Sequence, residues 1–104
     1  MKLLQINFKL SAPALEGEAA RTRAKEIANL NGLVWKIYIK NDAEHLSGGI
    51  YLFEDEASAQ AYLNGPIIAS LKSMPVVSGF EAKIFDVNSE LTKITRGPVD
   101  YFSS

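Results

Sequence analysis

The chain has no cysteine, which excludes disulfides, thiolate nucleophiles, zinc–thiolate sites and iron–sulfur clusters. It has a single histidine, His45, with no carboxylates at ligand spacing around it, so no metal site is expected. No apolar run approaches the ~20 residues needed to span a bilayer. Neither sign of charge dominates. The net charge of −1 at pH 7 argues against nucleic acid or an anionic membrane as the main partner, since both call for a basic excess. Repeats, linkers and low-complexity segments are absent, as are a phosphate loop, a dinucleotide fingerprint and a catalytic triad.

What remains is ordinary for a folded domain: 104 residues, 47% apolar and 22% charged. That length suits one domain, residues 1–104, with a single core and a net stability of roughly 5–15 kcal/mol. The opening MKLLQINFKL alternates polar and apolar residues, so it reads as a first strand and not as a signal peptide. The expected location is the cytoplasm.

Lys2 to Leu10 is the first strand, with Leu4, Ile6, Phe8 and Leu10 on one face. Leu15 to Leu30 is rich in helix formers and stops at Asn31-Gly32. Leu33 to Glu54 is a hairpin whose loop is Asn41 to Ser47, with Gly48-Gly49 opening the returning strand. Asp55 caps a second helix, and Pro66 begins another that ends near Pro75. Glu81 to Val87 is the fourth strand. Ser89 is placed to cap a short helix, and the tail holds Val99, Tyr101 and Phe102, apolar residues that should dock on something.

Strand, helix, strand, strand, helix, strand is the α+β, ferredoxin-like βαββαβ order, with helices on one face of a four-stranded antiparallel sheet. Both faces of the hairpin carry apolar side chains. The all-apolar set Ile6, Phe8, Trp35, Ile37, Leu52 and Ile84 is expected under the helices. The mixed set Asn7, Tyr38, Tyr51, Phe53 and Phe85 is expected on the open face. Such a face needs a cover, and two sheets pairing would give a homodimer with an aromatic interior.

Trp35-Lys36-Ile37-Tyr38, His45, Gly48-Gly49-Ile50-Tyr51-Leu52-Phe53, then Ala57, Ala61 and Tyr62, and last Glu81 to Asn88, resemble the YdhR-type family of mono-oxygenases. The likeness covers nearly the whole chain. It implies a dimeric α+β barrel and kinship with small oxygenases that use neither metal nor flavin, so no cofactor is expected.

Several residues could carry such chemistry. His45, in the loop, is the residue type suited to a general base near neutral pH, or is a solvated surface histidine. Asn7, in mid-strand where asparagine is disfavoured, could hold a developing oxyanion or face water. Tyr51 could donate a hydrogen bond to substrate oxygen; Tyr51, Tyr38 and Phe53 could clasp an aromatic ring or form a dimer interface. Trp35 is core, pocket wall, or both. Lys36, Lys40 and Lys83 are expected to keep their charges at the rim. The function these residues suggest is cofactor-independent mono-oxygenation of a small aromatic or polyketide-like substrate. A non-catalytic ligand-binding dimer, or an isomerase or decarboxylase on the same barrel, remains open. So does the place of the pocket, under the helices or between two sheets.

Overall fold

The computed structural model describes residues 1–99. Tyr101 and Phe102, expected to dock, lie outside the described residues.

Four strands, β1 (Lys2–Leu10), β2 (Leu33–Asn41), β3 (Leu46–Phe53) and β4 (Val77–Asp86), form one antiparallel sheet in the order β2-β3-β1-β4. Helices α1 (Gly17–Ala28), α2 (Glu56–Leu63) and α3 (Pro66–Lys72) cover one face. A last helix, α4 (Ser89–Ile94), follows β4. This is the ferredoxin-like arrangement that the order of elements predicts. None of these helices is long and apolar enough to cross a membrane.

Local chemistry sets most of the boundaries. The Asp55 carboxylate accepts from the Ser58 N–H at 2.8 Å and starts α2, and Pro66 occupies the first turn of α3, where its missing N–H costs nothing. Asn88, not Ser89, caps α4, accepting from Leu91 N–H at 3.1 Å. The fourth strand begins at Val77, four residues ahead of the expected Glu81, because Val77 and Ser78 pair with Leu10 and Lys9. The expected hairpin loop tightens into a single 3-10 turn at Asp42–Glu44, closed by His45 in a left-handed conformation (φ 57°).

Cross-strand register decides the two faces. One row runs Lys36, Tyr51, Leu4, Ile84 across the four strands. The neighbouring row, Trp35, Leu52, Leu3, Phe85, points the other way. Leu4, Ile6, Phe8, Tyr51 and Phe53 pack with Ile27, Ala59, Tyr62, Ile68 and Leu71, so the first row lies under the helices.

The expected faces are therefore right for β1 and β4 and reversed for the hairpin. Tyr51, Phe53 and Tyr38 belong to the helix-covered face, and Trp35, Ile37 and Leu52 to the open one. Part of the reason is a bulge. Leu33 opposes Phe53 while Trp35 opposes Leu52, so β2 gains one residue and Leu33 and Trp35 face opposite ways despite their spacing of two. The rest is volume and satisfaction: aromatic rings on β3 fill the space beneath α2, and the buried hydroxyl of Tyr51 finds a partner there.

On the open face Trp35 donates its indole N–H to the Pro98 carbonyl at 2.9 Å. The segment after α4 thus returns across β2. Val99, 4% exposed, and Leu52, fully buried, mark the patch where it lies. Ile37 and Phe85 on the same face stay about half exposed, at 50% and 45%.

Candidate active site

Between the sheet and the helices is a cavity of about 90 Å³. In that measure one water takes roughly 10–15 Å³, so the space suits a few waters or one aromatic ring. Its apolar walls come from Phe8 on β1, Leu15 ahead of α1, Ile27 on α1, and Ile67 and Leu71 on α3. Its polar groups are Arg23 on α1, Lys36 and Tyr38 on β2, Tyr51 on β3 and Tyr62 on α2.

The two inner tyrosines act as a unit. Their hydroxyl oxygens are 2.8 Å apart and both residues are buried, at 3% and 5% exposure. Burial raises both pKa values. Tyr62 is pushed up to about 12, and Tyr51 further, so both stay protonated across the physiological range. One hydroxyl donates to the other, and the acceptor keeps its own proton for a third group. Phe53, fully buried, stacks behind Tyr51 with ring centroids 6.1 Å apart and lends the pair a rigid back.

Lys36 is a cation folded inward. Its ammonium stands 3.7 Å from the centre of the Tyr38 ring and 4.7 Å from that of Tyr51. Burial, and after it the positive charge of Arg23, brings its pKa down to about 8. The expectation that Lys36 sits at the rim is thus corrected: its pairing with Tyr51 on β3 places it on the helix face. Gly49 makes the room, since a Cβ there would stand 2.6 Å from Lys36 Cε and 3.0 Å from Tyr51 Cε1. Neither Lys36 nor Arg23 is in an ion pair among the described residues, and no carboxylate lines the cavity.

Of the six residues singled out from sequence, the structure brings Tyr51 and Tyr38 together, with Phe53 behind. Trp35 and Asn7 are on the opposite face, where Asn7 shares a row with Ile39, Gly48 and Glu81. His45 is exposed, beyond the cavity, along a shallow groove with Leu10, Pro13 and Lys40. The proposed trio His45, Asn7 and Tyr51 therefore does not converge. Lys36, Tyr62 and Arg23 were missed as site residues. Alternation alone links Lys36 to Tyr38. Only the pairing of β2 with β3 links both to Tyr51.

Solved structures of known proteins share the fold. SnoaB, a cofactor-independent oxygenase from Streptomyces nogalater, is 18% identical, with TM-score 0.62, over 84% of this chain and 93% of its own. MhuD, a heme-degrader from Mycobacterium tuberculosis, is 25% identical, with TM-score 0.57, over 83% of this chain and 95% of its own. A "putative antibiotic biosynthesis monooxygenase" from Deinococcus radiodurans is 14% identical, with TM-score 0.62, over 85% and 93%. No curated protein matches the sequence. The profile of the family described as "Putative mono-oxygenase ydhR" matches residues 3–98, and the chain belongs to that family.

Proposed function

We propose that this chain is a mono-oxygenase acting, without metal or flavin, on a small electron-rich phenol bound in the cavity beneath the helices. The carrying observation is the inward Lys36, with a pKa near 8, beside the hydroxyl pair of Tyr51 and Tyr62. An oxygenase without a cofactor must draw its electrons from the substrate. A phenol gives an electron to dioxygen far more readily as its anion, so the protein's tasks are to take the proton, hold the anion and keep water out.

Lys36 as the free amine accepts the phenolic proton, and the ammonium so formed stays beside the phenolate. The uncommitted O–H of the tyrosine pair donates to the same oxygen. Tyr38, at the mouth, and Phe8 enclose the ring. Electron transfer gives a phenoxyl radical and superoxide. Their recombination at a ring carbon gives a hydroperoxide, which loses water to leave a quinone. The sum, phenol plus dioxygen to quinone plus water, balances.

Kinship with SnoaB supports the absence of a cofactor from this reading. MhuD holds two hemes in its active site. The wall of this cavity, by contrast, offers no imidazole, and this reading takes a small phenol as the occupant. The working unit in this reading is a homodimer, since Ile37 and Phe85 leave the open face apolar and half exposed.

The test is oxygen uptake by the purified protein with a panel of hydroquinones and naphthols. Turnover should fall at least 100-fold in Lys36→Met and stay within twofold in His45→Ala. Full turnover in Lys36→Met would remove Lys36 as the base, and no uptake with any phenol would leave the fold with a binding role. Light scattering at micromolar concentration should give twice the chain mass.

A further inference from the structure

We infer that Arg23 is a specificity-determining residue that receives a carboxylate on the aromatic ligand, so that the natural substrate is a phenol bearing an acid group. The inference rests on the reading of this cavity as the ligand site and adds a second, anionic anchor to it.

The argument begins with charge. Arg23 and Lys36 come from different elements, α1 and β2, and line the same small cavity. Arg23 brings a planar guanidinium to it. Its charge is felt by three groups on two elements: it lowers the pKa of Lys36 and opposes the rise at Tyr38, both on β2, and opposes the rise at Tyr62 on α2. Two cations that line one small space repel, and a carboxylate between them would offset this. Here the wall offers none, and neither cation pairs with an acid among the described residues. The residues therefore leave a counter-charge to be supplied by the occupant.

Shape narrows the choice of anion. The space holds about one ring, and Phe8, Tyr38 and Tyr51 give it aromatic walls. Inorganic anions would satisfy the charge and leave those walls wet. A planar carboxylate meets the guanidinium with two parallel hydrogen bonds, which a lysine cannot match. The division of work follows: Arg23 takes the carboxylate, while Lys36 and the tyrosine pair attend to the phenol oxygen.

Calorimetry on the full chain at pH 7, under nitrogen so that no turnover contributes, tests this with 3- and 4-hydroxybenzoate against their amides. At least one acid should bind tenfold or more tighter than its amide. That preference should fall to within threefold in Arg23→Gln and survive in part in Arg23→Lys. Circular dichroism on each variant confirms that the fold is retained. Equal binding of acids and amides, or a preference unchanged in Arg23→Gln, overturns the assignment. A preference lost in Lys36→Met and retained in Arg23→Gln also overturns it, by moving the anchor to Lys36. If the amides bind and the acids do not, Arg23 alone is misassigned and the oxygenase reading stands. If no phenol of either kind binds, the cavity reading falls with it.

Discussion

The Tyr51 and Tyr62 hydroxyls meet at 2.8 Å beneath α2, joining the middle of β3 to the helix that covers it. This bond is the only polar link between two buried rings whose centroids are 5.0 Å apart and whose planes are tilted by 48°. Each hydroxyl is the other's partner, so the pair should behave as one unit in mutation.

Tyr51→Phe or Tyr62→Phe alone leaves a buried hydroxyl without its mate, at about 1–3 kcal/mol. Replacing both removes the need along with the bond, so the double variant should cost less than the sum of the two. Urea unfolding of the three variants measures the coupling. Strict additivity would mean that the hydroxyls do not pair in solution.

Lys36→Met should stabilise the protein at neutral pH while abolishing turnover. The folded-state pKa is about 8, below the ordinary lysine value of 10.5. Between those values the unfolded chain binds more protons than the folded one, so stability rises with pH across that window. Below pH 8 the folded state carries the full penalty of a partly buried ammonium. Methionine keeps the stem and removes the charge, for a gain of about 1–2 kcal/mol at pH 7 after allowance for solvent screening of a residue not fully buried. The gain should vanish by about pH 10.5. Melting curves at pH 7 and pH 10.5 check both ends.

The same titration governs the reaction. With Lys36 as base, kcat/KM should rise toward a limb near pH 8 and fall again once the free phenol ionises, at about pH 10. A profile flat between pH 6.5 and 9 would exclude Lys36.

Gly48 and Gly49 should differ in their tolerance of alanine. A Cβ at Gly49 presses on the side chains of Lys36 and Tyr51, which can shift, so Gly49→Ala should cost about 1–3 kcal/mol and return the Lys36 pKa toward its ordinary value. A Cβ at Gly48 would stand 2.0 Å from the Ile6 carbonyl oxygen, which cannot move without parting β1 from β3. Gly48→Ala should be the more damaging, read as a larger loss of melting temperature or of soluble yield.

Much of the architecture was legible in the chain. Period-two alternation marked the strands, and Asp55, Pro66 and Asn31-Gly32 marked where helices start and stop, because these signals act within a few residues. Tyr51 and Tyr38 were legible as sharing one face of the sheet, but that face was expected in the open and lies under the helices. Lys36 was not legible as a site residue. A lysine beside a tryptophan and an isoleucine looks like the solvent side of a strand, and only its pairing with Tyr51 on β3 shows that it turns inward.

The amino-acid order, then, settled which residues share a face within β1 and β3 and roughly where the helices start and stop, since both follow from backbone geometry over neighbouring positions. It left open which face of the hairpin meets the helices. Both faces are apolar enough to be buried, so the difference in transfer free energy between them is small. Pairing of Tyr51 with Leu4, the extra residue between Leu33 and Trp35, and the hydroxyl of Tyr62 waiting under α2 tipped that balance. Those are contacts between distant parts of the chain, and they put Lys36, Arg23 and two tyrosines around one small space.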